Sequence, residues 1–387
     1  MRAGPLEVFT VALRLGVTSF GGPIAHLGYF RIEYVERRRW LDDAAFAELV
    51  ALGQFLPGPT SSQVGMAVGY ARAGLSGAAA AWIGFTLPSA VIMTIFGAIA
   101  TGGAVGGDEL WLRALKLVAV AVVLDAVIGM ARQLAATWPR AVIAVITGAV
   151  LLLLPASGFI QVACLLVAAF VGLLWFRSKL DAQPGELPIR VGRRTGLMAL
   201  TAFGALLAAL PLISGLGVLA DLADAMYRAG ALVFGGGHVV LPLLEAETVP
   251  NLVSETEFLA GYGVAQALPG PLFTFAAYLG QVAAGLPGAV VATIAMFLPG
   301  SLILFGVLPF WQQVRANARV QAALVGVNAA VVGLLGAAWI DPITTSSVTT
   351  VADAVFAVAL FGALHFAKAP PWMVVIAAVL ASPLLGL

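Results

Sequence analysis

The chain has 387 residues, of which 61% are hydrophobic and only 10% charged, with a net charge of +1. Soluble domains carry about 25% charged residues, so the composition excludes a water-exposed globular surface, and the near-zero charge argues against nucleic acid as a partner. Repeated apolar runs of about 20 residues, each long enough to cross the hydrocarbon layer, predict an all-α polytopic membrane protein rather than a barrel of alternating strands.

In chain order, the N-terminal "MRAGPLEVFTVALRLG" lacks the charged and apolar regions of a cleaved signal, so it is expected to be retained. Two interrupted segments follow, 6–30 with "SFGGPIAH" and 44–72 with "LPGPTSSQ". Continuous spans are predicted at 76–100, 111–132, 139–155 and 158–177. The polar stretch "RSKLDAQPGELPIRVGRR", 177–194, is the one good linker. A span at 195–214 precedes two more interrupted segments, 221–245 with "VFGGGHVV" and 256–283 with "LPGPLFTF". Spans at 287–310, 320–340, 350–366 and 371–387 complete the chain. The expected domains are an N-terminal repeat at 1–177, a cytoplasmic linker at 178–194, and a connecting helix plus C-terminal repeat at 195–387. The one cysteine, Cys164, lies in an apolar run, which excludes an intrachain disulfide and argues against a thiol metal site.

The halves are copies. Arg14 and Arg228 each open R-x-G-x-x-x-F-G-G; Q-x-L-P-G-P follows at 54–59 and 266–271, then "AGLSGA" at 73–78 against "AGLPGA" at 284–289. Transporters commonly use such repeats, with the site at their interface and built from broken helices. Lys and Arg favour cytoplasmic loops. The loop at 31–43 holds four arginines, whereas its counterpart at 245–258 holds glutamates and no Lys or Arg. The halves are therefore expected to be inverted, with 6–30 and 44–72 as re-entrant hairpins.

Proline ends a helix, and the new helix begins with N–H groups that lack intrahelical partners. Within hydrocarbon, such backbone is tolerated only around a buried site or cavity, and helix N-termini bind anions. Four breaks converging near the midplane would form an oxyanion site from Gly21, Gly22, Pro57, Gly58, Pro59, Gly235, Gly236, Gly237, Pro269, Gly270 and Pro271. Arg14 and Arg228 join it as candidate forks for a tetrahedral oxyanion, against the alternative that each snorkels to the interface. Thr60, Ser61, Ser62 and Gln63 either cap the new half-helix or contact the ion. Thr274 stands in the less polar second copy, and Gln266 either contacts the ligand or bonds freed carbonyls. His238 can titrate in the physiological range, while His26 reads as structural. Asp125, Glu33 and Glu247 are proton-coupling candidates, Asp125 foremost because it lies mid-span; its alternative is a salt bridge to a neighbouring Arg or Lys.

"SFGGPIAHLGYFRIEYVERRRWLDDAAFAELVALGQFLPGPTSSQVGMAVGY", "FGGGHVVLPLLEAE" and "GYGVAQALPGPLFTFAAYLG" resemble the chromate ion transporter family in its long, two-domain form. The matching positions are Phe20 to Pro23, Pro57 to Pro59, Phe234 to His238, and Pro269 to Pro271. The resemblance implies a multi-pass protein of the cell inner membrane that exports chromate and confers resistance, driven by membrane potential or a proton gradient. Sulfate, alike in size and charge, is the expected competitor, and an oxyanion carrier for sulfate or a passive channel are the alternatives. No cofactor, metal or ATP site is expected, since no P-loop and no H-E-x-x-H occurs, and an intramembrane enzyme is disfavoured. Lipid is the surrounding partner, and Gly-rich helices such as 76–100 can pack within or between chains, which makes a homodimer compatible with the sequence.

Overall fold

The computed structural model describes residues 4–102, 110–154, 158–176, 189, 191–234, 237 and 240–385, and every regular element among them is helical. The first half runs α1 (Pro5–Thr18), α2 (Gly22–Arg31) with a π turn at Ile32–Arg37, α3 (Asp43–Phe55), α4 (Thr60–Thr101), α5 (Leu110–Leu134), α6 (Trp138–Leu153) and α7 (Gly158–Trp175). A connecting helix, α8 (Arg193–Ile213), leads to α9 (Val218–Leu232), α10 (Val240–Thr248) and α11 (Glu255–Ala267). A 3-10 turn at Leu272–Thr274 opens α12 (Phe275–Val307); α13 (Trp311–Ala316), α14 (Ala318–Ala338) and α15 (Thr345–Ser347) follow, then α16 (Val351–His365) and α17 (Pro371–Leu385).

Local chemistry sets these boundaries. The Asp42 side chain accepts from the Ala45 N–H at 2.7 Å to start α3, and Ser254 with Glu257 forms a capping box on α11. Pro57 and Pro59 end α3 and delay α4, and Pro269 and Pro271 act likewise in the second half. Each long helix, α4 and α12, then turns sharply at an Ala-Gly pair. Ala73 and Gly74 have φ, ψ of −142°, 22° and 65°, −150°. Ala284 and Gly285 have −149°, 23° and 64°, −158°. The sequence repeat "AGLSGA"/"AGLPGA" is thus one backbone turn made twice.

The breaks are hairpin tips, as the sequence predicts. Tyr278, two turns beyond the second break, donates its hydroxyl to the Glu257 carbonyl at 3.0 Å, and its ring covers Gly261. That is the geometry of two antiparallel segments. In the first half Thr60 Oγ1 donates back to the Gly53 carbonyl at 3.0 Å. The ends of the α1–α2 hairpin are tied by Arg38 to Glu7 at 3.0 Å.

The halves are inverted. Beyond its turn α4 runs from 75 to 101, and its far end meets the α12 hairpin: Phe96 stacks on Tyr278 at 5.4 Å and Gly97 abuts Gln281. Reciprocally, the end of α12 meets the α4 hairpin, with Phe305 5.3 Å from Tyr70 and Ser301 Oγ 3.5 Å from Met66 Sδ. The two equivalent turns therefore sit at opposite ends of the same helix pair. One end gathers cations: Arg38 and Arg72 flank Trp40 at 5.3 and 5.1 Å, Arg315 pairs with Glu48, and Gly196 brings α8 with Arg193 and Arg194 against Pro309. The other end carries Glu247, Glu255 and Glu257.

Among the described residues, five stretches are long and apolar enough to cross a membrane: Thr60–Thr101, Trp111–Leu134, Arg193–Ile213, Leu272–Ala316 and Ala318–Ser347. The segments expected as spans at 139–155, 158–177, 350–366 and 371–387 form helices of 16, 18, 15 and 15 residues, short against the roughly 20 of a full crossing. They work as pairs, α6 with α7 on α14 and α16 with α17 on α5, so each half's closing pair packs on a helix of the other half. The expected linker falls largely on 177–188 and 190, outside the described residues.

Candidate functional site

The four breaks meet in two reciprocal pairs. The Gly58 N–H donates to the Val233 carbonyl at 2.8 Å, and the Gly270 N–H donates to the Ser19 carbonyl at 2.9 Å. Each Pro-Gly-Pro tip is thus tied to the Phe-Gly-Gly break of the other half. An unpaired backbone group in hydrocarbon costs several kcal/mol, and here each half satisfies the other. Glycine is required at both tips: φ is +110° at Gly58 and +94° at Gly270. A Cβ would stand 2.9 Å from the Gly300 Cα at the first and 2.8 Å from Ser89 Oγ at the second.

Other residues expected to face an ion instead hold the breaks. Gln63 Nε2 donates to the carbonyls of Pro57 at 2.8 Å and Gly300 at 3.0 Å. Thr274 Oγ1 donates to the Pro271 carbonyl at 2.8 Å, and its segment is a 3-10 turn where a half-helix is expected from Leu272. Ser61 Oγ pairs with His26 Nδ1 at 3.3 Å, while the Ser62 hydroxyl and His26 Nε2 are buried without a partner.

A cavity of about 140 Å³ opens where the first half's Phe-Gly-Gly break faces the second half's Pro-Gly-Pro break. Gly21 and Gly22 line one side, Gln266, Leu268, Gly270 and Leu272 another, and α5 closes it with Val122, Asp125 and Ala126. Gly22, the first residue of α2, and Leu272, in the 3-10 turn ahead of α12, both line it, so the positive dipole end of α2 faces the cavity. The Gln266 side-chain amide, buried beside the Tyr262 hydroxyl, forms part of the wall. Phe20 and Trp372, 5.9 Å apart, join the break to the start of α17.

Asp125 is not paired to Arg or Lys, the alternative expected from sequence. Its Oδ1 lies 2.7 Å from Nδ1 of His365 on α16. The imidazole is held between Phe361, stacked at 5.1 Å, and Phe366, edge-on at 5.1 Å. His365 escapes sequence reasoning because it is 240 positions from Asp125; the available signal is an ionisable group closing the last turn of an apolar helix.

Neither arginine lines this cavity. Arg14 sits on an exposed face of α1. Arg228 pairs with Asp224 and Glu247, both at 2.7 Å, so its charge is already met. Glu33 also lies outside the cavity, bound by Arg38 at 2.8 Å and Arg37 at 3.4 Å. Burial raises the Glu33 carboxyl, but the Arg38 and Arg37 contacts outweigh it and leave the group below its ordinary value. Gly237 is buried, whereas Gly235, Gly236 and His238 lie outside the described residues. Among the described residues no group of three His, Cys, Asp or Glu could hold a metal ion.

The chain matches the family model described as "Chromate transporter" over residues 6–173 and 220–382. It is 31% identical over 361 residues to the chromate transport protein of Cupriavidus metallidurans, covering 84% of this chain and 79% of that one. With the chromate transport protein of Pseudomonas aeruginosa it shares 30% identity over 346 residues, 87% of this chain and 80% of the relative. An uncharacterized transporter of Methanocaldococcus jannaschii is 29% identical over 336 residues, 85% and 82% of the two chains. No solved structure matches the chain. Two matched regions, the curated relatives and the duplicated, helix-broken fold agree: this chain belongs to the chromate transporter family.

Proposed function

We propose that this chain is a secondary carrier that moves chromate out of the cell across the inner membrane, conferring chromate resistance, with sulfate as a competing ion. The observation that supports this reading is the cavity between Gly21–Gly22 and Gln266–Gly270, where the N-terminal end of α2 and the Gln266 amide meet at the interface of inverted repeats. The repeats are taken as 1–177 and 195–387, the second led by the connecting helix. With the cationic end cytoplasmic, the linker at 178–194 is cytoplasmic as well.

Direction follows from charge. Moving one elementary charge across 100 mV is worth about 2.3 kcal/mol, so a cell interior held negative drives a dianion outward by about twice that. An alternating-access path then needs no ATP. The ion passes unchanged, and the protein performs no reaction on it.

Everted vesicles test this reading, with chromate, sulfate and phosphate offered in turn under an imposed interior-positive potential, with and without a pH gradient. The expected result is saturable chromate accumulation that collapses with the potential and is competed by sulfate. Flux that does not saturate would mark a channel. Chromate uptake equal to that of vesicles lacking the protein would contradict the proposal.

A further inference from the structure

We infer that the Asp125–His365 pair is a proton-linked switch on the cavity's affinity for its oxyanion. The inference rests on the transport reading above and assigns the regulation of that same site.

The argument begins with a conflict of charge. The cavity offers the N-terminal end of α2 and the Gln266 amide to an anion, yet its wall also presents the Asp125 carboxylate. A bare carboxylate beside a dianion repels it in a medium of low dielectric. His365 Nδ1, 2.7 Å from Oδ1, removes that repulsion only when the imidazole is protonated, since the pair is then neutral overall. Once the proton leaves, the carboxylate stands alone and the anion is expelled.

Among the described residues, the other charges on and around α5 lie away from the pair or are already engaged. On α5 the remaining ionisable groups are Arg113 and Lys116, toward the other end, and Arg132, two turns away. Arg113 is paired with Asp353 at 2.7 Å. α17 carries no ionisable side chain, and α11 offers Gln266 and Tyr262 near the cavity, with Glu255 and Glu257 at its opposite end. Lys368, beyond the end of α16, is exposed. His26, on α2, is occupied by Ser61. The pair also joins α5 of the first half to α16 of the second, so a change of charge there acts on the interface between the repeats.

The test uses the full chain in liposomes and compares the KM for chromate between variant and wild type at each pH. The ratio cancels chromate's own protonation, and a loss of folded protein lowers the maximal rate and not KM. The double variant Asp125→Asn/His365→Gln, uncharged at every pH, should lower KM about tenfold at about pH 8.5 while matching wild type near pH 6, a coupling within the ordinary range. His365→Gln retains a hydrogen-bond donor toward Asp125 but cannot carry the proton, so its KM should rise about tenfold near pH 6 and converge on wild type at high pH. Asp125→Asn alone keeps an imidazole without its carboxylate, so its KM should fall below that of the double variant near pH 6 and meet it at high pH. Variant-to-wild-type ratios that stay flat across pH would overturn the switch while leaving transport intact. Wild-type liposomes without saturable chromate flux at any pH would overturn both readings.

Discussion

Gly58 and Gly270 each sit in a left-handed conformation with a neighbour where a side chain would go. Replacing either with alanine imposes backbone strain of about 1–3 kcal/mol and pushes the tip away from its carbonyl partner on the other half. Both variants should lower the unfolding temperature in detergent and abolish chromate flux, whereas alanine at Gly28, where nothing lies within 4 Å, should do neither. Arg228 makes a second residue-scale prediction. Its removal leaves Asp224 and Glu247 without their cation, and stranding a largely buried charge costs about 3–5 kcal/mol. Arg228→Ala should therefore reduce folded protein on size exclusion, while Arg14→Ala, on an exposed face, should leave folding intact. The sequence shows both arginines at equivalent repeat positions but not their different surroundings. Asp224, four residues before Arg228, is legible from helical spacing; Glu247 reaches it only through the fold. His365 is hidden for the same reason, because long-range pairing leaves no mark in a single chain.

At the scale of elements, most of the hairpin architecture is legible in the sequence, because Pro-Gly-Pro and Phe-Gly-Gly leave the backbone few choices. The Ala-Gly turns are visible only as a repeat, and the structure supplies their meaning: they reverse α4 and α12 by one shared conformation. A Cβ at Gly74 or at Gly285 meets nothing within 4 Å. Alanine there isolates conformational strain from packing, and each substitution should cost a similar amount, about 1–3 kcal/mol, read as matching shifts in melting temperature. Lengths of the outer helices are less legible. Apolar composition continues through α6, α7, α16 and α17, so hydropathy alone reads full spans where the helices are short. What fixes them is packing on α14 and α5, which composition does not report.

Over the whole molecule, inversion places both tip-to-break backbone bonds of the described residues, Gly58 to Val233 and Gly270 to Ser19, between the halves. A charge contrast between two loops carries this inversion in the sequence, and in the structure it appears as the antiparallel run of α4 against α12. In a Cys164→Ala background, a cysteine at Arg39 should react with an impermeant maleimide from the cytoplasmic side alone, and one at Asn251 from the opposite side alone. Labelling of both from one side would contradict the inverted arrangement. The asymmetry between halves matters as much as the symmetry. His26, Ser61 and Gln63 of the first half correspond to Val240, Phe273 and Phe275 of the second, all buried, so a duplicated backbone carries one polar interior and one apolar one.

The central claim is that the oxyanion sits between the first half's Phe-Gly-Gly break and the second half's Pro-Gly-Pro break. Crystals of the protein grown with chromate, measured at the chromium absorption edge, test it directly. An anomalous peak within the cavity bounded by Gly22, Asp125, Gln266 and Gly270 is the predicted result. A chromium peak elsewhere in the protein, with that cavity empty, would contradict it.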